Sequence, residues 1–442
     1  MFEAKYNSEN LMERKSELKR NLSLLEITLV GIGDILGAGI YVLMGKAAGL
    51  AGNMVWASFL FAGFTASLSA LSYMELSSMY PRAGAEYVFA RKAFGERTGL
   101  FVGLLVIYYV AITASAVALG FGRYFSTIFG GGILIGAISL YILLSLVMVY
   151  GIKESARLAI LMTFIELSGL LIIIYVGIPY LGTVNYSETP SLSGVFEASA
   201  LIIFAFLGFE DIVRLSQETK DAEKATPKAL FISIFVTIFL YICVAVTSVS
   251  VLDFQVLGIS DIPLAEVAAV AFGEKAFVLL SWIALFSTMN TVLVVMLGGS
   301  RIVYGMANSG SLPKILARVH PKLKTPWTAI FGIALFSSLF VFLGDIATVA
   351  NIANFMIFIV FFIVNVSLIK LRYTDPERRR PFRVPVSIGR FPIIPTLGAL
   401  SAVFLFSQIS KEVMLYGFFL AGISAILVLL KTGKRKDKLL TG

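Results

Sequence analysis

The chain has 442 residues, of which 58% are hydrophobic and only 14% are charged, and its mean hydropathy is +0.89. Soluble domains carry about 25% charged residues, so this composition excludes an ordinary soluble protein. The apolar runs are about 20 residues long, as membrane-spanning helices require. A transmembrane barrel would show short alternating strands instead. We therefore predict an all-α polytopic membrane protein.

The sequence contains few of the residues that enzymes commonly use for catalysis or metal binding. His320 is the single histidine and lies in a polar loop, and Cys243 is the single cysteine and lies in an apolar run. A structural zinc site or a Ser-His-Asp triad needs more of these residues than the chain contains. The sequence thus predicts that the protein is not an enzyme, and that it binds no metal and no cofactor.

Twelve apolar spans are predicted in chain order. Their approximate boundaries are 26–50, 52–76, 98–122, 132–150, 156–180, 194–214, 228–252, 272–304, 327–344, 347–371, 391–409 and 412–430. Before them, residues 1–21 are predicted to form a polar cytoplasmic segment without a signal peptide. After them, residues 431–442 form a basic tail, so the membrane domain extends from 22 to 430.

The basic residues are distributed very unevenly between the two sides of these spans. Most of the 36 lysines and arginines lie in the terminal segments and in the loops after even-numbered spans. The exceptions are Lys46, Arg123, Lys275 and Lys411. The positive-inside rule then places both termini in the cytoplasm. We also predict that the protein lies in the plasma membrane. The formal net charge of +9 indicates topology and contact with anionic lipids rather than nucleic-acid binding.

Two of the spans are interrupted by glycine. Residues 31–41 of the first span read GIGDILGAGIY, and residues 204–210 of the sixth read FAFLGFE. In lipid, every backbone N–H and C=O needs a partner, so a broken span usually lines a cavity. Broken spans at matching places in two halves of a chain indicate the binding site of a transporter.

The spacing of the two breaks predicts an internal repeat. If spans one to five form one unit, at about 26–180, and spans six to ten form a second, at about 194–371, each unit begins with a broken span. An odd number of spans per unit inverts the second unit relative to the first, as inverted-repeat transporters require. The last two spans, at about 391–430, would then be peripheral.

Seven short motifs lie on these spans or directly after them. They are GAGI at 37–40, YPRAGAEY at 80–87, FLGFE at 206–210, QETK and ATP within 217–227, SR, MA and LP within 300–313, TPW at 325–327, and RPFRVP at 380–385. In this order they resemble the amino acid–polyamine–organocation (APC) superfamily from about residue 22 to 430. The resemblance implies a LeuT-type fold with a 5+5 inverted repeat, two peripheral helices and discontinuous helices 1 and 6. It also implies alternating access and an amino acid or amine as substrate.

The two breaks provide suitable groups for both ends of an amino acid. Free N–H groups after the first break suit the carboxylate, because a helix N-terminus attracts anions. Freed carbonyls around the second break suit the ammonium, and similar transporters hold the ligand with these same stretches. The predicted substrate-binding residues are Gly37, Ala38, Gly39, Ile40, Phe204, Ala205, Leu207 and Tyr108.

Some of these residues have a simpler interpretation. Glycines in membrane helices commonly serve close packing, and we favour packing for Gly31 and Gly33 but the unwound site for Gly37 and Gly39. Phe204 lies where relatives place an aromatic ring over the substrate, although core packing would equally explain a phenylalanine.

Three acidic residues within the spans are candidates for coupling or gating, since ionisable residues in membranes are usually functional. In relatives the counterpart of Glu210 helps to couple the two gates, and Glu166 aligns, within two residues, with a lysine of some proton-coupled members. Asp34 stands where relatives carry a small or apolar residue and could attract a cationic substrate or an ion. For each, a hydrogen bond between helices or to the backbone is the alternative.

Ser287 and Thr288 lie in the region of span eight where sodium-coupled relatives hold sodium. Serine and threonine in membrane helices also bond to their own backbone, so we expect protons rather than sodium as the coupling ion.

The predicted function is a secondary active transporter that moves amino acids by symport or exchange. The alternatives are a polyamine or cationic amine transporter, which the three acidic residues favour, a sodium-coupled amino acid transporter, and a substrate sensor that does not transport. The sequence leaves the identity of the amino acid and the oligomeric state open.

Overall fold

The computed structural model describes residues 18–260, 262–343 and 346–440. Most of the predicted N-terminal segment, 1–21, lies outside these ranges. Within them, nine helical runs are long and apolar enough to cross a membrane, and the first, Leu24–Met79, contains the first two predicted spans. Two shorter apolar helices, Trp327–Phe340 and Ile393–Phe406, coincide with predicted spans nine and eleven. The prediction of an all-α polytopic membrane protein is confirmed.

The helices alternate with short connections along the whole described chain. In the first half they are α1 (Leu24–Leu36), α2 (Ala38–Ala51), α3 (Val55–Met79), α4 (Ala85–Phe94), α5 (Glu96–Phe129), α6 (Ile133–Tyr150) and α7 (Ile152–Gly177). In the second half they are α8 (Leu192–Phe206), α9 (Phe209–Arg214), α10 (Ala222–Val251), α11 (Phe254–Ile259), α12 (Pro263–Phe272), α13 (Glu274–Asn308), α14 (Trp327–Phe340), α15 (Ile346–Thr374), α16 (Ile393–Phe406) and α17 (Lys411–Leu440). A small hairpin of β1 (Ser387–Ile388) and β2 (Phe391–Pro392) precedes α16.

Three of these helices were not predicted. Helix α4 carries charged residues such as Arg91 and Lys92, and α11 and α12 are far shorter than a membrane span. A search for apolar runs of about 20 residues misses such helices, because that length is set by the bilayer and not by helix formation.

The broken spans lie in the middle of the bundle. Helix α1 packs against α7 and α10, and α2 packs along α8. Helix α5 packs against α13 and α15, while α10 packs against α3. The last two apolar helices are attached to this bundle from outside, α16 through α15 and α3, and α17 through α15 and α5. The division into two five-helix repeats stays a prediction.

Buried ion pairs explain several residues of the motifs. Arg301 donates two hydrogen bonds to Glu218, of 2.7 and 3.0 Å, and both side chains are buried. Glu75 on α3 accepts from Arg372 at 2.6 Å and from Arg380 at 3.1 Å. Paired, hydrogen-bonded charges are the form in which ions are tolerated inside a protein. These pairs therefore fasten the loops after α9 and α15 to the ends of the spanning helices.

Candidate functional site at the two helix breaks

The two breaks lie against each other. Helix α1 ends at Leu36 and α2 begins at Ala38, so Gly37 alone interrupts the first span. Helix α8 ends at Phe206, and Gly208 in the second break has φ +120°, a conformation that favours glycine. A Cβ atom on Gly39 would lie 2.5 Å from Cα of Ala205. The close approach of α2 to α8 therefore depends on the missing side chain at Gly39.

Two buried hydroxyl groups from other helices contact the backbone of the breaks. Thr291 on α13 accepts a hydrogen bond of 2.9 Å from the N–H of Ala38. The Tyr241 hydroxyl on α10 lies 2.9 Å from the carbonyl oxygen of Ala205 and also contacts that of Ile35. Buried backbone groups are costly without partners, so these hydroxyls stabilise the interrupted geometry. Sequence reasoning missed Tyr241, although a tyrosine in the middle of an apolar span needs a polar partner.

We expect Tyr241→Phe to lower the midpoint of thermal unfolding, because it removes the hydroxyl donor shared by two buried carbonyls at a cost of about 1–3 kcal/mol. Thermal unfolding of the purified protein in detergent measures this. Tyr175→Phe is the matched control, since Tyr175 is 69% exposed and lies outside both breaks. Equal midpoints for the two variants would contradict the role of Tyr241.

A small cavity lies beside the breaks, between α2 and α8. Its lining includes Ala38 and Phe204 from the broken spans and Thr288 from α13. The remaining lining residues are Val42, Leu43, Ala116, Val117, Gly120 and Ala350. The described residues around this cavity carry no charge. Small-molecule sites are lined mostly by apolar side chains of this kind.

Tyr108 is not among the residues that line this cavity. Its ring is partly buried, with its centroid 5.7 Å from that of Phe336 on α14. The neighbouring Tyr109 points instead to the second break and donates a hydrogen bond of 2.8 Å to Glu210. Sequence patterns do not distinguish the adjacent tyrosines, because the residues of α5 around them are apolar on every face of the helix.

Glu210 belongs to a buried polar cluster at the start of α9. Its other carboxylate oxygen accepts from the N–H of Gly208 at 3.1 Å. Arg214, one turn later, donates to Asp211 at 2.7 Å and to Glu86 on α4 at 2.6 Å. All of these charged side chains are fully buried. Sequence reasoning found Glu210 and missed the other three. The signal for Asp211 and Arg214 was charge at helical spacing directly after an apolar run, whereas Glu86 lies in the YPRAGAEY motif.

Asp34 lies where the two breaks meet. It is 3% exposed, and neither carboxylate oxygen has a hydrogen-bond partner among the described residues. A Cβ atom on Gly208 would lie 2.8 Å from Cγ of Asp34. Asp34 is therefore packed against the backbone of the second break, outside the lining of the cavity.

Glu166 on α7 is fully buried and faces α13. Its carboxylate accepts a hydrogen bond of 3.3 Å from the side chain of Asn290, and the hydroxyl of Ser287 lies beside it. The carbonyl oxygen of Glu166 accepts a 2.8 Å hydrogen bond from Tyr41 on α2. Glu166 thus links α7, α13 and the first broken span.

The two predicted sodium-binding hydroxyls have different surroundings. Thr288 Oγ1 lies 3.0 Å from the carbonyl oxygen of Ala284 and 2.9 Å from that of Leu285. It therefore bonds to its own helix, the alternative that the sequence left open. Ser287 points toward Glu166 instead.

Gly31 and Gly33 of the first span serve packing. A Cβ atom on Gly31 would lie 2.2 Å from Ile212, and one on Gly33 would lie 1.8 Å from Thr163. Both contacts are impossible for a real Cβ atom. The small residues therefore allow α1 to approach α9 and α7 closely, as packing in membranes favours.

The comparisons with known proteins agree with this architecture. Residues 22–428 match the family model described as amino acid permease. The chain is 32% identical over 415 residues to the branched-chain amino acid permease BcaP of Bacillus subtilis, covering 88% of each chain. It is 27% identical over 408 residues to the methylthioribose transporter of Bacillus subtilis, covering 87% of each.

A plant relative is the vacuolar cationic amino acid transporter 4 of Arabidopsis thaliana, 28% identical over 397 residues, with 82% of this chain and 64% of the relative covered. These relatives are named as permeases or transporters, in agreement with the prediction that the protein is not an enzyme. The chain belongs to the amino acid permease family, within the APC superfamily that its motifs resemble.

Proposed function

We propose that this protein carries amino acids across the plasma membrane by alternating access, with both termini in the cytoplasm. The observation that carries the proposal is the pair of adjacent helix breaks beside a small apolar cavity. Interrupted half-helices at the centre of a membrane protein supply backbone groups that no intact helix could offer a ligand. The concentration of basic residues at one side supports the orientation.

The amino acid would bind with its carboxylate at the N-terminus of α2 and its ammonium at the C-terminus of α8. The first N–H groups of a helix have no intrahelical partner and suit an anion. The N–H of Ala38 is bonded to Thr291, which leaves those of Gly39 and Ile40 for the carboxylate. Carbonyl oxygens of Phe204 and Leu207 at the opposite break suit the ammonium, since a helix C-terminus attracts cations.

The cavity favours an amino acid with an apolar side chain. Its lining is aliphatic apart from Phe204 and Thr288, and a charged side chain placed there would lose its hydration without gaining a partner. The relative with 32% identity is named as a branched-chain amino acid permease. A cationic amino acid is the second candidate, because another relative is named for that substrate.

A screen of amino acids and polyamines for inhibition of uptake into proteoliposomes decides between these candidates. We expect valine, leucine and isoleucine to compete, and arginine, lysine and polyamines to compete weakly. The opposite order would replace the proposed substrate with a cationic one. Saturable binding without any flux would indicate a sensor, and single-channel currents would indicate a pore.

Gly120 should set the size of the accepted side chain. A Cβ atom there would meet only the methyl group of Thr288, at 3.7 Å, so Gly120→Ala should fold normally. Gly120→Leu would fill the cavity and lower kcat/KM for leucine relative to alanine about 10- to 100-fold, the usual discrimination of a hydrophobic pocket. Uptake kinetics measure this ratio. Gly132→Leu at an exposed position is the control, and an unchanged ratio in Gly120→Leu would place the substrate elsewhere.

Protons are the proposed coupling ions, and Glu166 is their proposed carrier. Its carboxyl group is fully buried and accepts a hydrogen bond from Asn290 on α13, while its backbone carbonyl accepts one from Tyr41 of the first broken span. A change in the charge of Glu166 would therefore act where α7, α13 and the first broken span meet. Sodium is the alternative, for which Ser287 beside Glu166 would be the main hydroxyl ligand.

A further inference from the structure

Two carboxyl groups face each other where α1 meets α9. Helix α1 packs against α9, Asp211 is the charged residue that acts most strongly on Asp34, and both carboxyl groups are buried. Among the described residues, neither oxygen of Asp34 has a hydrogen-bond partner, nor does Oδ2 of Asp211. The other oxygen of Asp211 accepts from Arg214 at 2.7 Å. Buried, unsatisfied carboxylate oxygens are costly, so a ligand that serves both groups at once would stabilise this contact.

The local charge identifies the ligand as a proton. Within the described cluster, Arg214 is the cation that faces Glu86, Glu210 and Asp211, and an ionised Asp34 would add a fourth negative charge. Like charges at short range in a low-dielectric interior repel strongly, so two carboxylates that share such a site do not both ionise. If Asp34 is protonated, it can donate to Oδ2 of Asp211, and an ionised Asp211 remains paired with Arg214.

The other helices around α1 offer few titratable groups at this level. Helix α10 presents Tyr241, whose hydroxyl contacts the carbonyl oxygen of Ile35, and α7 presents Glu166. Helix α13 presents Asn290 and Thr291, which do not titrate. The charge of Asp34 therefore depends mainly on the residues of α9.

We propose that Asp34 and Asp211 hold one proton between them, and that this proton latches α1 to α9 on the side of the chain termini. The inference rests on the proposed function, because a latch matters only if the half-helices separate during transport. When the proton leaves Asp34 for water, two facing carboxylates remain, and their repulsion separates α1 from α9. Protonation of Asp34 restores the hydrogen bond and closes the contact.

Ile212 on α9 provides a reporter for this separation. It is 1% exposed, and Gly31 of α1 packs directly on it. A cysteine at this position, introduced with Cys243→Ser, would react with a maleimide only after α1 has moved away. Because thiols react faster at alkaline pH, its labelling rate is divided by that of Leu25→Cys, an α1 position that is already 68% exposed.

We expect the normalised labelling of Ile212→Cys to rise with pH by up to about tenfold per pH unit, the limit for release of one proton. Adding Asp34→Asn should keep labelling low at every pH, because the amide donates to Asp211 without titrating. Adding Glu197→Gln, at an exposed position, should leave the rise unchanged. A flat profile in the parent, the same rise with Asp34→Asn, or a response to sodium at constant pH would overturn the latch.

Amino acid uptake by the same parent protein separates this inference from the proposed function. Absence of uptake would refute transport. Normal uptake, combined with the same rise of labelling with pH in the Asp34→Asn variant, would refute the latch alone.

Discussion

Replacing Glu166 with glutamine is expected to abolish accumulation of substrate against its gradient while preserving exchange of substrate for substrate. Glutamine has nearly the same shape and still accepts a hydrogen bond from Asn290, so the contact between α7 and α13 is kept. It does not bind or release a proton at physiological pH. Exchange needs only movement of the loaded carrier, whereas accumulation needs the return of a proton down its gradient.

The size of the effect follows from the driving force. One pH unit is worth about 1.4 kcal/mol, which supports about tenfold accumulation per coupled proton. Proteoliposomes with an imposed pH gradient should therefore concentrate the substrate with wild-type protein and reach only equal concentrations with Glu166→Gln. Glu197→Gln, on the exposed face of α8, should accumulate normally. Normal accumulation by Glu166→Gln would exclude it as the coupling residue, and accumulation driven by sodium alone would exclude protons.

Replacing Arg214 with methionine is expected to destabilise the protein more than any other single change considered above. The substitution leaves Glu86, Asp211 and Glu210 buried together without their cation. Removing one partner from a buried ion pair costs about 3–5 kcal/mol, because the remaining charge keeps its desolvation penalty. Thermal unfolding in detergent should show a strongly lowered midpoint or no folded protein.

Two comparisons distinguish this electrostatic loss from a loss of packing. Adding Glu86→Gln and Asp211→Asn to Arg214→Met neutralises the stranded carboxylates and should recover most of the stability. Arg379→Met removes an exposed pair, in which Arg379 is 3.9 Å from Glu223, and should cost less than about 1 kcal/mol. If the triple variant is no more stable than Arg214→Met, the account of the cluster as a balanced set of charges fails.

Much of the fold could be predicted from the sequence, because the bilayer constrains both the length and the backbone hydrogen bonding of the segments that cross it. Span length follows from membrane thickness, and glycine in an apolar span marks a break because lipid provides no other hydrogen-bond partners. The breaks at Gly37 and Gly208 could therefore be located without any structure. The same reasoning placed Phe204 and Ala38, which line one cavity, near each other.

The side chains around the breaks were harder to predict. A helix that is apolar on every face gives no periodic signal, so nothing in the sequence favoured Tyr109 over Tyr108. Tyr241 and Thr291 are far from the breaks along the chain and contact them only because α10 and α13 pack against α1. The pairing of Arg214 with Glu86, 128 residues away, also depends on tertiary packing that local patterns do not encode.

Counterflow in proteoliposomes tests the central claim, that one site beside the helix breaks serves both sides of the membrane alternately. Vesicles loaded with unlabelled leucine are diluted into medium that contains a trace of labelled leucine. A carrier predicts transient accumulation of the label, which disappears when the vesicles are loaded with buffer or when Gly120→Leu is used. Label that merely equilibrates, at a rate that does not saturate and is indifferent to the loaded leucine, would contradict alternating access.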